Sequence, residues 1–534
     1  MKSKNYFLEK RLIMLTAAFS CCLLFLVPAY ANNATVTNVF LSDQNTTTGT
    51  VKVNFTLSQE NAFGDAYYGS TTEQYKYSDY LWVFVKYAVA SGTPPVVDSS
   101  VGYKHARLYS GGSLGNYNSA TGEGIIADHR GAFIKASNAG AAGANFSAIW
   151  NFIDDGVSID ASVQIKVCAI EMVKIPTGGF WYNVGDIGGS EDNNYYSTTT
   201  GVGKKAKVTS INHVPIGANK FTDSVTSPNS SNAYPGQGAW PNGFKSFYVM
   251  KYEVSQGQYA DFLNMLPENK AKGRYQDFAH YSVRNDSDAP SCLTAYKGQT
   301  VVAYQYTITY DSTKPYGERY SAGVRDRACN FLSLADAMAF TSWACLRPMT
   351  EMEFEKAARG VSDGATVAQP EATYPWGDSS PATVNSLYAT GACPGYSGSS
   401  TFSAYQNYAN FNRTNDNYTS GPVNVGNYLS GDVPSRTDAQ KGVSPYGVAD
   451  LAGNLNERVI FCSWLQTPQN GDGDTHIEYN KDLYWPLSTG WRGGDYHRTS
   501  GYLRISDRSG RTETYNGRWV CAAYFGFRGA RTID

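Results

Sequence analysis

The sequence predicts an α+β protein in which an all-β, sandwich-like domain precedes a loop-rich α+β domain. Three observations predict it. Apolar and polar residues alternate through the first part of the chain, as in "VKVNFTL" (51–57). Three boxes of Ser or Thr followed three residues later by an acid or amide come after it, each opening a short amphipathic run. Long stretches rich in Gly, Ser, Asn and Tyr then reach the C-terminus with few periodic runs, which places function on loops. At 534 residues the chain also exceeds one ordinary core.

Lys2, Lys4, Lys10 and Arg11 precede the apolar run "LIMLTAAFSCCLLFLV" (12–27), and "AYA" (29–31) supplies the small-x-small pattern of a signal-peptidase site. A secretory signal over 1–31, cleaved after Ala31, is expected, giving a secreted or cell-surface chain. The apolar run falls short of the roughly 20 residues of a spanning helix, and no later run is long enough, so no membrane span is expected in the mature chain. Residues 32–170 form the sandwich-like domain: "LWVFVKYAV" (81–89) and "SVQIKVCAI" (162–170) repeat the period-2 theme between turn-rich stretches. Residues 171–534 form the second domain. Its capping boxes pair Ser255 with Gln258, Ser333 with Asp336 and Thr350 with Glu353, and Gly360 stands where the third helix should stop.

Charged residues make up only 17% and the net charge is −2, so neither nucleic acid nor an anionic membrane is an expected partner. Tyr (40) and Gly (52) are abundant, as on polar uncharged surfaces and in binding loops. Two of the nine cysteines, Cys21 and Cys22, would leave with the signal; the remaining seven show no CxxC spacing. Export permits disulfides but does not assign them. The six histidines, at 105, 129, 213, 280, 476 and 497, show no HxxxH spacing and read as surface residues. No nucleophile with a nearby base is evident.

Eight motifs carry a family likeness: "MVKIPTGGFW" (172–181), "YEVSQGQYADFLN" (252–264), "LADAMAFTSWACLRPMTEMEFEKAARG" (334–360), "YPWGD" (374–378), "PVNVGNY" (422–428), "SPYGVADLAGNLNE" (444–457), "WRGGDY" (491–496) and "GFRGAR" (526–531). In this order they resemble the formylglycine-generating enzyme, or sulfatase-modifying-factor, family. The resemblance implies a fold related to C-type lectins for residues 171–534 and leaves the N-terminal β region uncovered. In the family's oxidases a cysteine pair just after a "GGSY" motif binds copper, a soft-ligand chemistry suited to Cu(I). Here "GGDY" (493–496) puts Arg498 and Leu503 at the matching places, so copper is not expected. Cys521, the nearest downstream cysteine, reads as an isolated buried thiol.

The resemblance also implies calcium, held by oxygen donors. One site would use Asn454, the carbonyl of Leu455 and Glu457; a second would use Asn410, Phe411, Asp416 and Tyr418. Without the resemblance, Asn454 reads equally as a turn residue and Glu457 as a solvated charge. The same fold family includes ligand-binding proteins whose C-terminal segment, between a "GG" and a final "GFR", is diversified by retroelements through randomised adenines. Segment 495–511 lies in that window, and all 17 residues are types reachable from a randomised Asn codon. Asp495, Tyr496, His497, Arg498, Ser500, Tyr502, Arg504, Ser506 and Asp507 are therefore the expected ligand-binding residues, with Leu503 and Ile505 packing inward. The expected function is non-catalytic recognition of a protein or glycan; the alternative is a formylglycine-generating oxidase or another oxidoreductase of the family.

Overall fold

The computed structural model of the protein describes residues 34–59, 66–68, 75–77, 79–136, 143–182, 206–211, 214–216, 220–222, 241–275, 303–360, 374–376, 409–411, 421–426, 442–460, 471–472, 489–507 and 521–533. The expected signal segment lies outside them, as do Asp416 and Tyr418.

Among the described residues, the first part of the chain supplies β1 (Ala34–Asn45), β2 (Thr50–Gln59), β3 (Asp79–Ser91), β4 (Leu108–Tyr109), β5 (Gly124–Ile125), β6 (Ala132–Lys135), β7 (Ala144–Asn151) and β8 (Ser162–Ile175). The rest supplies β9 (Phe247–Met250), α1 (Gln256–Met265), α2 (Leu334–Trp343), β10 (Arg347–Pro348), α3 (Glu351–Arg359), β11 (Asn456–Ile460), β12 (Thr489–Arg492), β13 (Phe525–Gly526) and β14 (Gly529–Thr532). A four-stranded sheet runs β1-β2-β7-β4. It packs on a second sheet whose main path runs β10-β14-β9-β8-β3-β6-β5. A small sheet, β12-β11-β13, carries the C-terminal motifs, with β11 antiparallel to β12 and parallel to β13.

The alternation read from the sequence becomes two cores. In β2 every second residue is buried, and Val51, Val53, Phe55 and Leu57 face one side. They meet Leu81, Val83, Val85 and Tyr87 of β3 and Val167 and Ala169 of β8 in the core between the sheets. The intervening residues of β3 and β8, Tyr80, Trp82, Phe84, Cys168, Ile170 and Met172, face away from that core and enter a larger one with α1 and α2. β3 is thus buried on both faces, where a free-standing sandwich would leave alternate residues wet.

The boundary expected at residues 170 and 171 falls inside β8. Its residues Ser162–Val173 pair with β3, and Met172–Ile175 pair with β9 of the following region. One continuous sheet therefore joins the two parts, with no linker between them. Side chains reinforce the joint. Trp82 Nε1 donates to the Ala344 carbonyl at 2.8 Å, and Lys86 Nζ donates to the Trp343 and Gly471 carbonyls at 2.6 and 2.5 Å. Arg531 of β14 lies over the Trp82 ring and binds Asp128 and the Cys345 carbonyl.

The three capping boxes form as their spacing predicts. Ser255, Ser333 and Thr350 each accept the N3 amide hydrogen, and Gln258, Asp336 and Glu353 each reach back to the cap amide. Gly360 ends α3 at φ 87°, a conformation costly for residues with a Cβ. All three helices are buried along their whole length, α3 against β9 and β11.

Candidate ligand-binding surface

The segment expected to carry function leaves β12 through Gly493 and Gly494, at φ 87° and 68°. A Cβ at Gly493 would lie 2.9 Å from the Leu451 carbonyl oxygen, and one at Gly494 would lie 2.7 Å from that of Tyr502. Glycine is required at both places by backbone conformation and by close approach. The preceding Arg492 is fully buried and fixes the start of the segment. It donates to Glu351 at 2.8 Å and Glu355 at 2.6 Å, one turn apart on α3, and to the Ile505 carbonyl.

Beyond the glycines the chain alternates between anchoring and display. Asp495 is fully buried. Its carboxylate accepts from Asn456 Nδ2, from the His497 amide at 3.0 Å and from His497 Nδ1. Tyr496 enters the larger core, and its amide donates to the Asn454 carbonyl at 3.0 Å. A 3₁₀ turn, Ser500–Leu503, then lifts the chain over a small cluster of Tyr374, Trp376, Ala409, Phe411, Ala452 and Leu503. Tyr374 and Trp376 stack within it, ring centroids 5.0 Å apart. Ile505 returns to the core beside α3, and Ser506 and Asp507 are buried with it.

Four of the nine expected ligand contacts are therefore corrected. Asp495, Tyr496, Ser506 and Asp507 are interior residues, because the Asn456 amide, the main core, Ile505 and the Arg504–Asp507 turn draw them inward. The other five, His497, Arg498, Ser500, Tyr502 and Arg504, are half-buried and lie at the surface. Leu503 and Ile505 pack inward as expected. The Arg498 guanidinium lies 4.6 Å over the Tyr502 ring. Two aromatic residues that the sequence reading passed over extend this surface. The half-buried Tyr524 has its ring 5.0 Å from that of His497, and half-buried Trp491 packs on Phe525, the neighbour of Tyr524. Tyr524 sits two residues before "GFRGAR" (526–531), outside segment 495–511, so neither motif pointed to it.

Asn454 and Glu457, expected to bind calcium, are committed to other protein groups. Glu457 forms a two-point ion pair with Arg528, at 2.6 and 2.5 Å, and both are buried. Asn454 sits at φ 62°, its Oδ1 accepting from Asn410 Nδ2 at 3.1 Å and from the Val423 amide at 2.9 Å. Its Nδ2 donates to Glu253, which also accepts the Leu455 amide at 2.9 Å. Phe411 is part of the small aromatic cluster. Burial first, then the nearby Asp450 and Glu457, push the Glu253 carboxyl well above the usual carboxylate range. Desolvation likewise raises Glu457 against the pull of Arg528. This donor set does not fit Ca²⁺: its carboxylate is neutralised by a guanidinium, and its amide oxygen already receives two N–H groups. The sequence missed the two partners that decide this, Glu253 and Arg528, which lie far away along the chain.

The positions matching the oxidase cysteines hold half-buried Arg498 and buried Leu503, neither of which binds copper. Cys521, read as an isolated thiol, is disulfide-bonded. Cys168, Cys329 and Cys345 are free and buried. Cys345 Sγ is 3.5 Å from His105 Nδ1, but burial pushes the thiol up to about 11 and, with Lys86, pushes the imidazole well below its usual value. Both stay neutral, which suits packing and not nucleophilic chemistry. His105, expected at the surface, is buried and stacks on Phe84. Among the described residues no group of three or more His, Cys, Asp or Glu could hold a metal ion.

Compared with known families, residues 198–533, well over half the chain, match the sulfatase-modifying factor enzyme 1-like domain. The chain belongs to this family. The match includes the helices α1, α2 and α3 and the whole half-exposed surface, and excludes the sandwich. No curated protein matches the chain. Among solved structures, Treponema denticola variable protein 1 aligns at 13% identity over 54% of this chain and 84% of that one, with a TM-score of 0.24. That likeness is too slight to bear on fold or function.

Proposed function

We propose that this sulfatase-modifying-factor-family protein is an exported, non-catalytic ligand-binding scaffold of C-type-lectin type, which recognises a protein or glycan through His497, Arg498, Ser500, Tyr502 and Arg504. The observation that carries the reading is the alternation of the segment: half-exposed aromatic, hydroxyl and cationic side chains stand between buried anchors at Tyr496, Leu503 and Ile505. Rings and an Arg fork on a rigid base give contact area at low ordering cost. Diversification of residues 495–511 by a retroelement accords with the composition of the segment. It is a reading of the displayed positions; Asp495, Tyr496, Ser506 and Asp507 belong to the base. The disulfide at Cys521 suits an oxidising compartment.

The oxidase alternative has Arg498 and Leu503 against it. Supplied with Cu(I) and a sulfatase-type cysteine peptide, the purified chain is expected to consume no oxygen; peptide oxidation would reverse this conclusion. The binding reading is tested on a panel of immobilised purified glycans and surface proteins. The wild type and a variant with His497, Arg498, Tyr502 and Arg504 all changed to Ala should share one melting temperature, and only the wild type should capture its ligand. Equal capture by both, or unfolding of the variant, would overturn the reading.

A further inference from the structure

The displayed residues differ in how tightly they are held, and that difference narrows the ligand. His497 is held by a fully buried carboxylate: Asp495 accepts both its amide and its Nδ1. A carboxylate only accepts, so Nδ1 carries its proton toward Asp495 and Nε2 is the nitrogen left for a ligand. With a side chain 23% exposed, His497 is a ring held by a carboxylate, with its Nε2 edge left for a hydroxyl. Next to it, the Arg498 side chain is 36% exposed, and its Nε is 3.8 Å from Asp495 Oδ2, too far for a hydrogen bond. Asp495 is already occupied by Asn456 and His497. The Arg498 guanidinium lies 4.6 Å from the centre of the Tyr502 ring, and among the described residues its side chain makes no hydrogen bond. A planar fork beside a ring, with no hydrogen bond to the described residues, matches a carboxylate in two-point geometry. The half-buried Tyr524 ring, 5.0 Å from His497, adds an apolar face.

We infer that the His497–Arg498 pair is a subsite for an acidic sugar of the uronic-acid kind, Arg498 taking its carboxylate and His497 Nε2 hydrogen-bonding an adjacent hydroxyl. The inference rests on the ligand-binding reading and makes it specific. One pyranose ring offers the required features together: a carboxylate, a neighbouring hydroxyl donor and a C–H face for an aromatic ring. An acidic peptide offers the carboxylate and amide donors, without a rigid C–H face beside them.

The test is calorimetric titration of the full mature chain with trigalacturonic acid and with its methyl ester. The acid should bind and the ester should bind at least about tenfold more weakly. Arg498→Gln should weaken acid binding by about 10- to 100-fold, as loss of a charge-assisted fork does, and Arg498→Lys should restore part of it. His497→Phe should weaken acid and ester alike, since its role is toward the hydroxyl. An unchanged thermal melt shows that each variant folds. Equal binding of acid and ester, binding of neither, or an Arg498→Gln variant that binds like the wild type would overturn the subsite. So would preference for an oligo-aspartate peptide over the trisaccharide. The broader reading fails differently, when the fourfold alanine variant keeps whatever ligand the wild type captures, so the two failures are distinguishable.

Discussion

Arg492 donates to Glu351, Glu355 and the Ile505 carbonyl from a fully buried position, so its loss would remove a cation that two buried carboxylates share. Arg492→Ala is expected to cost about 3–5 kcal/mol in urea unfolding, the range for breaking a buried pair from one side. Glu171 gives a prediction of a different sign. It is buried, with Lys251 Nζ 3.9 Å away while that amine pairs with Asp79 at 2.6 Å. Burial pushes its carboxyl from 4.5 up to about 8 despite Lys251. The folded state therefore holds the proton more tightly than the unfolded state. The stabilisation is complete below about pH 4.5 and is lost as pH rises toward 8. Glu171→Gln should flatten that decline, read as the urea midpoint at pH 5, 6.5 and 8; an unchanged slope would show that Glu171 is not its source.

At the scale of elements, the helices depend on their caps more than helices of this length usually do, because each is buried against neighbours that leave no water to satisfy a free amide. Ser333→Ala removes the acceptor of the Asp336 amide and the hydroxyl that donates to Asp336 Oδ2 at 2.7 Å. A loss of about 1–2 kcal/mol is expected in chemical denaturation, against the roughly 1 kcal/mol of an average cap. The boxes were legible in the sequence because a capping box is local: four residues specify it. The displayed segment was legible only in part. Leu503 and Ile505 could be assigned inward by hydrophobicity, but Asp495 and Asp507 are polar and give no such sign. Only the position of Asn456 on β11, 39 residues before Asp495, makes Asp495 an anchor.

For the whole molecule, the shared sheet makes the two halves one folding problem. Phe133 stacks on Tyr248, Tyr80 meets Tyr248 edge-on, and Phe84 meets Trp343 edge-on. Each of these rings is worth about 1.5–3 kcal/mol of burial. A fragment of residues 171–534 keeps the family motifs but loses β3, β6 and most of β8. It is expected to be insoluble or to bind hydrophobic dye with broadened, non-cooperative unfolding. A fragment that melted cooperatively at the temperature of the full chain would show the sandwich to be dispensable.

The sequence by itself determined what short-range chemistry controls: the period-2 strands, the three capped helices, the glycine that stops α3, the paired glycines that open the displayed segment, and the family motifs. Tertiary structure alone decided which face of each strand has a second neighbour and which polar residues are anchors. It made β3 a buried strand in place of a half-wet one, joined the parts through β8, and turned Asn454 and Glu457 from expected cation ligands into partners of Glu253 and Arg528. The physical reason is that burial and charge compensation depend on residues distant along the chain: Glu253 lies 201 positions from Asn454, and Glu457 lies 71 from Arg528. No local pattern records such pairings.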